Sequence, residues 1–256
     1  MSTLAALIFD VDGTLADTER DGHRVAFNLA FQEAGLDWEW SPELYGELLA
    51  VTGGKERIRF YLDKYNTGFK RPGDLDEFVA GLHAAKTGFY TKLMAKGAIP
   101  LRPGVERLIN EAKDAGVRLA IATTTTPENV TALLTYTLGA DSIDWFEVIG
   151  AGDVVPLKKP APDIFHYVLD KMNLASEQCV AFEDSYNGMR SAHQARLTTI
   201  VTTNGYTADD DFDGAAIVLD QMGEPDASFT VQAGDALGFS HLNLGMVRAL
   251  HKAEHG

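Results

Sequence analysis

Two aspartates separated by one residue, Asp10-Val11-Asp12, precede Gly13-Thr14 and directly follow the apolar run Leu4 to Phe9. A carboxylate in this position can attack phosphorus and form an acyl-phosphate that water then cleaves. A second carboxylate two residues on can protonate the leaving oxygen and later deprotonate that water. Groups of complementary chemistry follow other apolar runs: Thr123-Thr124-Thr125-Thr126 after Val117 to Ala122, Lys158-Lys159-Pro160 by a loop after Phe146 to Ile149, and Glu183-Asp184-Ser185 after Gln178 to Phe182. Cations and hydroxyls around a transferring phosphoryl group stabilise its equatorial oxygens. Carboxylates from two strands can hold Mg²⁺, which prefers hard oxygen ligands and lessens repulsion between anionic nucleophile and anionic substrate.

Each piece alone has a plainer meaning. Asp-x-Asp-Gly is a common turn, Thr126 and Ser185 suit helix caps, and paired lysines are usually solvated. Their joint occurrence, in order and always behind an apolar run, is what points to one site.

Short continuous apolar runs are strands buried on both faces, and two more occur at Thr198 to Val201 and Ala215 to Leu219. Between them lie helical stripes: Val105, Leu108, Ile109 and Ala112; Val130, Leu133 and Leu134 behind Thr126-Pro127; and Ile164, Phe165, Val168, Leu169 and Met172. Alternation of this kind predicts an α/β fold, a Rossmann-like doubly wound parallel sheet, whose ligands bind beyond the carboxyl ends of the strands. Residues 17–97 break the rhythm. Stripes through Phe27 to Ala34, from Ser41-Pro42, through Ile58 to Tyr65 and through Leu75 to Leu93 are helical, with no strand between them. This predicts a core of residues 1–16 and 98–256 with an inserted α-helical cap at 17–97, hinged near Ala16 to Thr18 and Ala98 to Pro103. Patterning is weak after Gly223.

Composition narrows the function. Twenty-two Lys and Arg against 37 Asp and Glu give a formal charge of −15, which excludes a broad nucleic-acid-binding face and obliges any anionic substrate to find local positive charge or a metal. Nothing approaches the ~20 apolar residues of a membrane helix, and no signal peptide is visible. The single cysteine, Cys179, lies in an apolar run and is read as packing. A cytoplasmic, monomeric protein without nucleic-acid or membrane partners is expected.

Within the helical segment, Thr52-Gly53-Gly54-Lys55-Glu56-Arg57 joins two helical stretches. Its glycines permit close backbone approach, and Lys55 and Arg57 can grip a second phosphate. His83 and Lys86, three residues apart, share a helix face.

Asp10-Val11-Asp12-Gly13-Thr14-Leu15, Thr123, Lys159 in Lys-Pro-Ala-Pro-Asp, and Glu183-Asp184-Ser185 in Phe-Glu-Asp-Ser-Tyr-Asn-Gly resemble the four motifs of the haloacid dehalogenase superfamily, and the helical insertion resembles its subclass with an α-helical cap. The resemblance implies Asp10 as nucleophile, Asp12 as general acid/base, and Thr123 and Lys159 on the phosphoryl oxygens. It implies Mg²⁺ held by Asp10, the Asp12 carbonyl and Asp184, with Glu183 ligating or supporting. Asp17-Thr18-Glu19, Ala26-Phe27-Asn28, residues 52–57 and His83-x-x-Lys86-Thr87 are similar to the CbbY-type family. That similarity implies a small phosphorylated-sugar substrate and dephosphorylation of xylulose 1,5-bisphosphate to xylulose 5-phosphate, linked to the Calvin cycle. Glu19, Gly53, Gly54, Lys55, Glu56, Arg57, His83, Lys86, Thr124 and Thr125 would then line the substrate. A β-phosphoglucomutase-like mutase and a phosphoglycolate phosphatase are the alternatives. The stretch Glu19-Arg20-Asp21-Gly22-His23 is one residue longer than the family's acid-to-histidine spacing, which counts against His23 as a site residue. Arg196 stands at a helix end where relatives carry glycine.

Overall fold

The computed structural model describes residues 3–97 and 99–256; the expected boundary at residue 98 and the first two residues of the core lie outside them. Strand β1 (Ala6–Phe9) is buried throughout. It runs parallel to β2 (Arg118–Ala122) on one side and β4 (Cys179–Glu183) on the other. With β3 (Phe146–Gly150), β5 (Thr198–Thr202), β6 (Ile217–Leu219) and β7 (Val231–Gly234) they form one seven-stranded sheet in the order β3-β2-β1-β4-β5-β6-β7. All neighbours are parallel except β6 and β7.

Side chains alternate across such a sheet. Leu7, Phe9, Leu119, Ile121, Val180 and Phe182 fall in one buried cluster, and Ala6, Ile8, Ala120, Ala122, Cys179 and Ala181 in the other. The first cluster is covered by α5 (Val105–Asp114), α6 (Pro127–Leu138) and α9 (Leu244–His255), through residues such as Leu108, Leu133 and Val247. The second is covered chiefly by α7 (Asp163–Met172), with Ala192 of α8 (Tyr186–Gln194). Burial on both faces is the reason the strand sequences read as apolar runs.

The weakly patterned tail supplies β7 and α9. Every residue of β7 is exposed, so it lacks an apolar signature, while α9 buries Met246, Val247 and Leu250.

Between β1 and β2 come α1 (Arg24–Glu33), α2 (Pro42–Leu48), α3 (Gly54–Lys64) and α4 (Leu75–Met94). Ser41 and Asp74 cap α2 and α4, their side chains accepting from Leu44 N at 3.2 Å and Glu77 N at 2.8 Å. Phe27, Phe31, Trp38, Trp40, Tyr45 and Tyr61 fill a separate aromatic core among these helices. Ala26, Tyr90 and Met94, from α1 and α4, join the sheet's cluster instead and so seat the helical layer on it. The two chain crossings pair with each other: Arg102 N donates to Leu15 O at 2.8 Å, and Ala16 and Leu101 form a bridge.

Arg196 is left-handed, φ 61°, the conformation that makes glycine the cheaper residue there. Among the described residues no helix is long and apolar enough to cross a membrane.

Candidate active site

The residues that follow β1, β2 and β4 meet at the carboxyl edge of the sheet. The chain leaves β2 for β3 on one side of β1 and returns as β4 on the other, and a parting of this kind opens a crevice. Asp10, Thr123, Lys159, Glu183 and Asp184 all lie there, each less than a tenth exposed. Lys159 Nζ donates to Asp10 Oδ1 at 2.6 Å and to Ala122 O at 2.8 Å, and stands 2.6 Å from Glu183 Oε1. These residues border a cavity of about 610 Å³ together with Asp12, Glu19, Arg57 and Thr124.

Two glycines make room. Gly13 has φ 86°, and a Cβ there would stand 2.1 Å from Asp184 Oδ2. Gly188 lies under Glu183, 1.8 Å from Oε2 on the same measure. The glycines of both acidic motifs are therefore needed for the approach of the acids. Ser185 and Thr126 cap α8 and α6, accepting from Gly188 N at 3.2 Å and Asn129 N at 3.4 Å.

Asp10, Glu183 and Asp184 each offer an oxygen within 4.8 Å of the others. Burial raises all three above the ordinary carboxylate range, Glu183 to about 8, although Lys159 opposes it for Asp10 and Glu183. Glu183 Oε2 has no hydrogen-bond partner. Three converging hard oxygens with too little positive charge among them fit a divalent cation. The Asp12 carboxylate is not one of the three.

Asp12 instead accepts from Thr18 Oγ1 at 2.6 Å, and its Oδ1 lies 2.8 Å from His23 Nε2. Burial works against ionisation of Asp12, but His23 and Thr18 outweigh it and hold the carboxyl well below its usual range. His23 Nδ1 is 2.8 Å from Lys86 Nζ, and its ring stacks on Tyr90 at 4.3 Å. The spacing argument against His23 therefore fails. Residues Glu19–His23 form a π turn, in which Arg24 N bonds Glu19 O five residues back. A π turn absorbs one extra residue, and this one brings His23 onto Asp12.

The helical segment places its predicted residues unequally. Arg57 is buried; its Nη1 donates to Tyr45 OH at 2.7 Å, and Tyr45 donates to Glu19 Oε2 at 2.5 Å. Gly53, Gly54, His83, Lys86 and Thr125 line a small recess that shares Asp12, Glu19, Arg57 and Thr124 with the main cavity. Burial pushes Lys86 down to about 8, and burial and nearby lysines push His83 down to about 3. His83 is thus neutral. Lys55 and Glu56 are engaged with the segment after β3: Lys55 pairs with Asp153 at 2.6 Å, Glu56 with Lys158 at 3.2 Å, and Lys158 with Asp153 at 3.0 Å, while Lys55 also lines a neighbouring cavity with Gly54, His83 and Thr124.

Tyr45 and Asn204 were not foreseen. Tyr45 sits in a helix with no local mark of function. Asn204 follows β5, and extending the strand-end rule to that strand would have found it.

A model of the haloacid dehalogenase-like hydrolases matches residues 4–196. The chain is 48% identical over 222 residues, 87% of either chain, to the plasmid-encoded CbbY protein of Cupriavidus necator. It is similar to a crystal structure of a CbbY mutant from Rhodobacter sphaeroides in complex with xylulose 1,5-bisphosphate, with a TM-score of 0.79 and 47% identity over 86% of this chain and 95% of that one. A β-phosphoglucomutase from Clostridium difficile shares the fold, with a TM-score of 0.76 at 18% identity over 99% of each chain.

Proposed function

We propose that this chain, which belongs to the haloacid dehalogenase-like hydrolase family, is a phosphatase that releases the phosphate of a small sugar bisphosphate through an aspartyl-phosphate on Asp10. The observation that carries the reading is the meeting of Asp10, Lys159, Glu183 and Asp184 in one buried crevice. Xylulose 1,5-bisphosphate is the substrate we favour, since a similar CbbY structure is described in complex with it.

Asp10 attacks phosphorus; the Asp10 O–P bond forms as the P–O bond to the sugar breaks. Asp12 delivers a proton to the sugar oxygen, taken from the phosphate monoanion that enters. In the second half Asp12, held ionised by Thr18 and His23, removes a proton from the water that attacks the acyl-phosphate and passes it to the departing phosphate, which leaves as the monoanion, and Asp10 is regenerated. Lys159 keeps the Asp10 oxygen poised and, with the Thr123 hydroxyl, takes up phosphoryl charge. Mg²⁺ is the cation we assign to Asp10, Asp184 and the Asp12 carbonyl, with Glu183 beside them; when bound it offsets the charge of the transferring phosphoryl group.

The distal phosphate belongs to Arg57 and Lys86, and Glu19 to the sugar hydroxyls. The helices of residues 17–97 act as the cap that encloses the substrate and excludes water. Lys55 and Glu56, engaged with Asp153 and Lys158, serve the contact between the cap and the core.

Phosphate release over a panel of sugar mono- and bisphosphates with Mg²⁺ tests this, with products identified so that a mutase is told from a phosphatase. Asp10→Asn is expected to release no phosphate while remaining folded by circular dichroism. Comparable release by that variant would end the covalent mechanism.

A further inference from the structure

The loop after β5 holds a side chain aimed at the acid cluster. Asn204 Nδ2 donates to Asp184 Oδ2 at 2.7 Å. Asn204 Oδ1 accepts from Tyr206 N at 2.9 Å, which settles the orientation of the amide: the oxygen is taken by a backbone donor, so the NH₂ end must face the carboxylate. The backbone is fixed as well. Asn204 N donates to the Thr207 hydroxyl at 3.0 Å, and Thr207 N donates to Asn204 O at 3.2 Å.

Oδ2 of Asp184 is thus held between Asn204 and Gly13, which fixes the carboxylate that clusters with Asp10 and Glu183. Among the described residues, Asn204 is the side chain that hydrogen-bonds Asp184. The same turn reaches the helices. The Tyr206 ring lies in a notch of α2, 3.1 Å from where a Cβ on Gly46 would stand, and 6.1 Å from the ring of Tyr45. Asn204, Tyr206 and Thr207 all border the main cavity.

We propose that Asn204 is a positioning residue for the cation site: it sets the Asp184 carboxylate, and Tyr206, seated on α2, holds Asn204 in place. This rests on the reading of Asp10, Glu183 and Asp184 as that site. A hydrogen bond behind a ligating carboxylate fixes its orientation, and loss of such a partner lowers metal affinity by about 10–100-fold.

The test is calorimetric titration of Mg²⁺ into the full chain, without substrate, for wild type, Asn204→Ala and Tyr206→Ala. The Kd is expected to rise about 10–100-fold for Asn204→Ala and in the same direction for Tyr206→Ala. At saturating Mg²⁺, KM for the sugar phosphate should stay at the wild-type value, because Asn204 acts through Asp184. Wild-type and Asn204→Ala values within twofold of each other would overturn the proposal, whatever happened to the melting temperature. Should Asn204→Ala fail to fold, an unchanged Kd in Tyr206→Ala would overturn it equally. Absence of Mg²⁺ binding by the wild type would instead remove the acid cluster as a cation site, and the inference with it.

Discussion

Tyr45→Phe removes one oxygen from the middle of the Glu19–Tyr45–Arg57 chain and leaves the packing of the ring intact. Two hydrogen bonds go: the phenol's donation to Glu19 Oε2 at 2.5 Å and its acceptance from Arg57 Nη1 at 2.7 Å. Each has a charged partner and contributes roughly 1.5–3 kcal/mol, a gross loss of about 3–6 kcal/mol. The structure contains its own compensation. Arg57 Nη1 already stands 3.6 Å from Glu19 Oε2, and without the phenol the two can close into a direct pair that recovers one of the bonds. The net cost is then about 1.5–3 kcal/mol, or roughly 10–150-fold in an equilibrium or rate constant. Because Arg57 is drawn toward Glu19, the loss falls on the distal phosphate. In phosphate-release assays with saturating Mg²⁺, kcat/KM for xylulose 1,5-bisphosphate should drop by about that factor, while that for p-nitrophenyl phosphate, which has no distal group, should change by less than about threefold. Equal losses on both substrates would show that the chain holds up the catalytic centre instead. No loss on either would show that Arg57 does not meet the substrate.

Lys86 gives a pH dependence. Burial lowers it to about 8, so it is a cation below that pH and neutral above it; kcat/KM for the bisphosphate, which reports the free enzyme, should fall as pH rises through 8. In Lys86→Met the value should be low throughout, with that limb absent; a limb that persists belongs to another group. The π turn gives a length dependence. Deleting exposed Asp21 should convert it to an ordinary helical turn that keeps Glu19 and His23 in place, with activity near wild type. His23→Ala, which loses the contact to Asp12, should lower kcat by roughly 10–150-fold. Deletion and substitution equally damaging would refute the account of the turn.

The sheet was legible because its strands are buried on both faces, which leaves a continuous apolar run that no helix period explains. The chemistry was legible because strand ends in such a sheet must converge, so residues far apart in sequence could be assigned to one edge before any contact was known. What escaped was of two kinds. Tyr45 and Asn204 work through partners 26 and 20 residues away; nothing in the local pattern of α2 marks Tyr45, and Asn204 is marked only by its place after β5. His23 was set aside on a residue count, since spacing assumes one hydrogen-bond register and the π turn has another. Strand β7 left no trace because an exposed edge strand owes nothing to apolar alternation.

A formal charge of −15 and an anionic substrate are reconciled by where the cations lie rather than by how many there are. Lys159, Lys86 and Arg57 are 5%, 4% and 7% exposed, so their fields act across a medium that screens little. The surplus acids are mostly at the surface, where water and salt weaken them within about 10 Å. Lys159 stands at the attacking carboxylate, and Arg57 and Lys86 at the recess beyond it. Positive charge at two places along one cleft suits a molecule with an anion at each end. A monophosphate would leave the second pair of cations buried with only Glu19, Asp12, His23 and the Tyr45 hydroxyl beside them, a cost that the proposed bisphosphate substrate avoids.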